Sequence, residues 1–350
     1  MPTSTALTDL LATRLPLIQA PMAGAQGSQL ALAVCAAGGM GSLPAAMLSP
    51  DALKAELQVL RAQARGPWNV NFFCHTPPAP DAAAEARWRE ALRPFYDEAG
   101  IDPASVPAGA VRVPFSHGVA DAVEPFAPPV VSFHFGLPAP DLLARVKSWG
   151  SQVLSSATTV EEALWLQAQG VDAVIAQGLE AGGHRGMFLG SELGTQLGTF
   201  ALLPQVVQAV KVPVIAAGGI ADAAGVRAAM TLGAAGVQVG TAYLCCPEAA
   251  TSALHRAALM SPAARHTELT CLFSGRPARS IVNRLMRELG AMNPAAPAFP
   301  LATAAVAPLR THFEALGRTD CSPLWSGQNA SACRAAPAAD ITAALAAGFD

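Results

Sequence analysis

Two kinds of segment alternate along this chain. Short, continuous apolar runs occur at 16–20, 41–44, 69–73, 130–135, 152–156, 173–176, 213–217 and 237–243. They lack the apolar–polar alternation of a half-exposed strand, as strands buried on both faces of a parallel sheet must. Between them lie stretches of helical character at 28–37, 50–64, 141–149, 159–169, 200–210, 221–232 and 248–260. Two carry start signals, Ser49 before Pro50, and Thr158 or Thr159 ahead of Glu161 and Glu162. Eight such strands with helices between them predict an α/β chain folded as a (β/α)8 TIM barrel. A doubly wound open sheet is the alternative. That fold usually shows a phosphate loop after its first strand, and the turn here, AlaProMetAlaGly (20–24), is not G-x-G-x-x-G.

Two segments exceed a minimal barrel. Residues 74–127 are rich in Pro and suggest one charged helix over 81–98; residues 265–350 read as Pro- and Ala-rich and mostly helical. Excursions of this length are functional or form a subdomain. The expected division is a barrel over 1–264, with 74–127 inserted, and a C-terminal substrate or lid region over 265–350 that returns to the barrel mouth.

Composition narrows the function classes. The chain has 350 residues, 52% of them hydrophobic, and a net charge of −3. Folding at this size buries about 75% of the extended chain's surface, so a core forms without disulfides. The three lysines (Lys54, Lys147, Lys211) and the lack of any basic run exclude a generic nucleic-acid binder. No stretch offers the ~20 strongly apolar residues of a membrane span. The first residues lack the basic-then-apolar pattern of a secretory signal, which leads to the expectation of a cytoplasmic protein. The seven cysteines include no CxxC pair and no zinc-spaced cluster, so no metal is expected.

Candidate chemistry lies where the strands end, because that face of a barrel carries the active site. The seventh and eighth strands end in small residues, AlaAlaGlyGlyIle (216–220) and GlnValGlyThr (238–241). Their backbone N–H groups can approach an anion at the usual phosphate position, although glycines also serve tight turns. The loop after strand six (176–186) is rich in glycine and polar side chains. Gln177 can both donate and accept along the edge of a planar ring, which Gly182 and Gly183 let the backbone approach. SerPheHisPheGly (132–136) sets His134 at the end of strand four, as a core histidine, a general base or an electrostatic partner for an anion. No Ser/His/Asp set or paired carboxylates stand out.

Several of these segments carry a resemblance. GlnAlaProMet (19–22), ValAsnPhePhe (70–73), SerPheHisPheGly, GlnGlyLeuGluAlaGlyGlyHisArgGly (177–186), AlaAlaGlyGlyIle and GlnValGlyThr resemble class I nitronate monooxygenases, formerly called 2-nitropropane dioxygenases. PheSerGlyArgProAlaArg (273–279) and LeuTrpSerGlyGln (324–328) resemble the same family, in the same order. The resemblance implies an FMN-containing barrel with a helical second domain. Its reaction would oxidise alkyl nitronates, such as propionate 3-nitronate, with O2 to a carbonyl compound and nitrite, without NAD(P)H. Carried over by position, Asn71, Gln177, Gly182, Gly219, Gln238, Val239, Gly240 and Thr241 would contact FMN, with the backbone at Met22 against the ring. His134 would be the active-site histidine, and His184, Phe299 and Ser326 would face substrate.

Departures concern the substrate end. Ser326 stands where the family usually has Ala. The chain has only two tyrosines (Tyr96 and Tyr243), where family pockets tend to use several, and Phe299 stands at one such place. No lysine follows Lys211, so a substrate carboxylate would meet Arg, His or backbone N–H. The rival readings are an NAD(P)H-dependent quinone or enoyl-thioester reductase on the same FMN barrel, and a flavin-free phosphate-binding barrel. The expected partners are a small-molecule substrate and O2. The Ala-rich C-terminal helices leave room for a homo-oligomer.

Overall fold

The structure is a computed structural model and describes residues 5–106 and 112–350. Its strands are β1 (Leu17–Gln19), β2 (Gly41–Pro44), β3 (Trp68–Phe73), β4 (Val130–His134), β5 (Gln152–Ala157), β6 (Ala173–Gln177), β7 (Gly183–His184), β8 (Val214–Ala217), β9 (Gly236–Val239), β10 (Thr267–Thr270) and β11 (Ala278–Ile281). Eight of them form a parallel sheet in the order β1-β9-β8-β6-β5-β4-β3-β2. A bridge from Ile18 to Met40 joins the two ends, so the sheet closes into the expected barrel. Every residue of β2, β3, β6 and β8 is buried, which explains the unbroken apolar runs.

The helices are α1 (Ala6–Leu11), α2 (Ser28–Ala37), α3 (Pro50–Gln63), α4 (Ala82–Ala91), α5 (Arg93–Ala99), α6 (His117–Val123), α7 (Pro140–Ser148), α8 (Val160–Ala168), α9 (Thr199–Ala209), α10 (Ala223–Thr231), α11 (Ala253–Leu259), α12 (Arg284–Leu289), α13 (Ala302–Ala315) and α14 (Ala338–Ala346). The start signals hold: the Ser49 hydroxyl accepts from the Ala52 N–H at 3.2 Å, and Thr159 caps α8 through the Glu162 N–H at 3.2 Å. Leu7 and Leu11 of α1 share a buried cluster with Ile18, Met40, Leu154 and Ile215 and fill the barrel interior.

Four local expectations are corrected. The charged helix expected over 81–98 is two helices, because Pro94 lacks the N–H that an uninterrupted helix needs there. The helix expected over 248–260 begins only at Ala253, where Ser252 caps it through the His255 N–H at 3.2 Å. The last barrel strand stops at Val239, and Thr241–Tyr243 turn as a short 3-10 helix. The C-terminal region also contains β10 and β11, which pair antiparallel with each other; β11 pairs in turn with β7 in the loop after β6.

The two excursions share one core. Trp88, Leu92, Phe95 and Tyr96 of the insertion pack with Leu285, Val306, Leu309 and Phe313 of the C-terminal region. Trp88 Nε1 donates to the Ala302 carbonyl at 3.2 Å across that contact. The chain then returns: α14 packs on α2 and α10, and the Tyr243 and Thr342 hydroxyls bond at 2.9 Å. α14 therefore occupies the place of the barrel's eighth helix. We read the domains accordingly as a barrel that includes α14 and a helical cap drawn from both excursions. Among the described residues no helix is long and apolar enough to cross a membrane.

Candidate active site

A cavity of about 450 Å³ opens at the C-terminal ends of the barrel strands, under the cap. Met22, Asn71, His134, Gln177, Gly182, His184, Gly219, Gln238, Gly240 and Thr241 all line it. Three further candidates do not. Val239 is 1% exposed and belongs to the barrel core. Phe299 is buried behind the wall among Phe73, Phe135, His75 and His184. Ser326 is fully buried and donates to the Gly327 carbonyl at 3.0 Å.

The barrel register sets the histidine. β3 and β4 pair with Phe73 opposite His134, so His134 emerges at the mouth beside an aromatic wall. The next residue, Phe135, has φ +70, a left-handed conformation uncommon for a bulky residue, and such strain gathers at functional sites. His134 Nδ1 lies 3.0 Å from the Ser156 hydroxyl, and Nε2 lies 3.3 Å from the His184 carbonyl. A carbonyl only accepts, so Nε2 carries the hydrogen and Nδ1 takes the Ser156 O–H. Burial pushes the pKa of His134 down to about 3, and the nearby Arg276 guanidinium adds to the shift. The ring is therefore neutral at ordinary pH.

Both ends of the Gln177 amide are engaged by its own loop. Nε2 donates to the His184 carbonyl at 3.0 Å, and Oε1 accepts the Gly186 N–H at 2.8 Å. Arg185, fully buried, braces the same loop by donating to the Gly178 and Gln177 carbonyls at 2.6 and 2.7 Å. Gly182 lines the cavity and is also closely packed: a Cβ there would lie 2.5 Å from the Gly327 nitrogen. His184 bonds the Ser274 hydroxyl at 2.8 Å through Nε2, and burial followed by the Arg112 charge holds its pKa well below the usual value.

Across the mouth, β8 ends in Gly218 and Gly219, with φ +114 and +73, conformations that L side chains rarely adopt. The Gly219 and Ile220 N–H groups, beyond the strand, have no hydrogen-bond acceptor among the described residues. Gln238 Oε1 is buried without a partner. A C-terminal segment closes over these positions: Gly327 N–H donates to Thr241 Oγ1 at 3.0 Å, and Asn329 Nδ2 to the Gly219 carbonyl at 3.0 Å. Free N–H groups, an orphaned acceptor and the apolar wall at Pro21–Ala23 form a cradle that fits a flavin phosphate and its ring.

Sequence reasoning missed Ser156, Arg112, His255, Trp325, Gly327 and Asn329, all of which line the cavity. The two serines ending the fifth apolar run were a usable signal for Ser156. His255 lies on α11 and the others come from the excursions; that these fold over the mouth no local pattern announces.

The family model described as "Nitronate monooxygenase" matches residues 4–348. The chain belongs to the nitronate monooxygenase family. A nitronate monooxygenase of Paraburkholderia phytofirmans is 42% identical over 97% of this chain and 93% of its own. Among solved structures, a nitroalkane oxidase from Streptomyces ansochromogenes superposes with a TM-score of 0.88 and 39% identity, covering 99% of this chain and 98% of that one. FabK from Thermotoga maritima follows with a TM-score of 0.75 and 26% identity, covering 99% and 96%. These likenesses span barrel and cap together. The nitronate monooxygenase family thus accounts for the whole chain, both excursions included.

Proposed function

We propose that this chain is an FMN-dependent monooxygenase that oxidises alkyl nitronates with O2 to a carbonyl compound and nitrite. The observation that carries the reading is the cavity's charge. Among its described lining residues there is no Asp or Glu, while two Arg and three His face in (Arg112, Arg310, His134, His184, His255). A nitronate is an anion, and an acid-free wall admits it without like-charge repulsion. The phosphate of FMN would sit on the Gly219–Ile220 and Gly240–Thr241 turns, and its ring would lie along Met22 toward Asn71 and Gln238. Bound there, a flavin supplies the redox chemistry, taking electrons from the nitronate and delivering them to O2.

The side chains do the rest. His134 reaches the substrate neutral, so it holds a nitronate as a hydrogen-bond partner rather than as a fixed cation. For a neutral nitroalkane its Nδ1 lone pair takes the α-proton, and Ser156 turns its hydroxyl to accept from the new N–H. The C–H electron pair stays on the substrate, which becomes the nitronate. Phe73, Trp325 and Phe273 exclude water from that end of the cavity. The same reading gives a cytoplasmic enzyme.

The test is aerobic. Purified protein is denatured to release and identify its flavin, and holoenzyme is supplied with propionate 3-nitronate in air without NADH. FMN and nitrite formation are expected. A colourless protein, or nitrite formation only when NADH is added, contradicts the reading.

A further inference from the structure

Two cysteines have no part in the chemistry described so far, yet they sit at the edge of the site. Cys245 follows the short 3-10 turn after β9, is fully buried, and shares an apolar cluster with Leu244, Leu259, Ile281 and Leu324. Cys333 is half-buried and packs against the same cluster. It belongs to the C-terminal segment that closes over the ends of β8 and β9. The two thiols form a hydrogen-bonded pair. Between them in the chain lie β10, β11, α12 and α13, so only folding brings them together.

Both members of the pair are held in place. The Cys333 thiol lies 3.2 Å from the carbonyl of Thr241, the residue whose hydroxyl accepts the Gly327 N–H at 3.0 Å. The Arg256 guanidinium donates to the Cys245 carbonyl at 2.7 Å, which sets a cation beside that residue. The hydrogen bond with Cys333, with Arg256 adding to it, holds the Cys245 thiol below its usual range against the cost of burial. Burial acts the other way elsewhere. It pushes Cys246 and Cys321 up to about 12 and moves Cys35, Cys74 and Cys271 in the same direction. A metal does not explain the pair, because among the described residues no three His, Cys, Asp or Glu side chains are placed to hold one.

We propose that Cys245 and Cys333 are an oxidative modification site: hydrogen peroxide converts them to a disulfide that fastens the C-terminal segment 327–333 to the turn after β9 and holds that side of the cavity closed. The Cys245 thiolate attacks one peroxide oxygen and the O–O bond breaks, giving a sulfenic acid and, with one proton, water. The Cys333 sulfur then displaces the sulfenic hydroxyl, which leaves as a second water with the Cys333 proton. Two thiols lose two electrons and two protons, and the peroxide becomes two waters. The link and its effect on the segment are independent of which group the cavity holds.

The experiment treats the purified full-length protein with a small excess of hydrogen peroxide and counts thiols by alkylation and intact mass after denaturation. Alkylatable cysteines fall from seven to five, dithiothreitol restores all seven, and peptide mapping joins Cys245 to Cys333. The Gly327 and Gln328 N–H groups, bonded to Thr241 Oγ1 and the Glu180 carbonyl, exchange with solvent at least about tenfold more slowly in the oxidised protein. In Cys333→Ser no disulfide forms, and peroxide leaves that exchange unchanged. Seven thiols retained, a link between other cysteines, or oxidation of Cys245 onward to sulfinic acid overturns the proposal. So does a Cys245–Cys333 link that leaves exchange at Gly327 and Gln328 as it was.

Discussion

At the scale of single residues the site is governed by histidines kept neutral. Burial lowers His134 to about 3 and His255 to about 4, and moves His75 and His184 in the same direction. In the unfolded chain each returns to about 6.5. Between these values the unfolded state binds more protons than the native one, so stability rises with pH across that window and is lost as pH falls from about 6.5 toward 4. Thermal melting is expected to drop by several degrees from pH 7.5 to pH 5, and His134→Asn to flatten that dependence; a slope unchanged in the variant rejects the assignment to His134. The same variant should keep its flavin and lose about a hundredfold or more in turnover of neutral nitroalkanes. Unchanged turnover there refutes the proton-abstracting role. His134 was legible because it ends a strand; Ser156 was missed although two serines end the fifth apolar run, and Arg112 because no local pattern announces that the insertion folds over the mouth.

At the scale of elements, the C-terminal chain completes the barrel twice. The segment around Gly327 and Asn329 closes over the ends of β8 and β9, and α14 fills the gap between α10 and α2. Gly182→Ala places a methyl 2.5 Å from the Gly327 nitrogen, where only backbone can yield. Weaker flavin retention is expected, measured by absorbance after gel filtration, and full retention argues that the segment is not part of the cradle. Leu345 on α14 is 1% exposed, so Leu345→Ala should cost about 2–4 kcal/mol, whereas Ala343→Ser on the exposed face should cost less than about 0.5. Equal melting temperatures for the two variants would remove α14 from the barrel wall. The strand and helix periods showed six of the barrel helices, α2, α3, α7, α8, α9 and α10, but not α6, which lies inside the insertion. The eighth escaped because almost a hundred residues separate it from its strand, and helical periodicity carries no partner information.

At the scale of the whole molecule, a closed parallel barrel opens at one mouth whose described lining residues include no Asp or Glu. The small-residue turns after β8 and β9 lie on one side of it, and His134 at the end of β4 lies on the other. The barrel could be read from eight doubly buried runs, and the phosphate side from two small-residue strand ends. The cap could not, because its core is assembled from segments some two hundred residues apart, such as Trp88 against Ala302. The central claim is that the nitronate itself, not a nicotinamide, reduces this flavin. It is tested most directly by anaerobic mixing of the holoenzyme with propionate 3-nitronate and, separately, with NADH, following the visible flavin band. The account predicts that the nitronate alone changes the band and that NADH leaves it intact; rapid bleaching by NADH, with none by the nitronate, would contradict it.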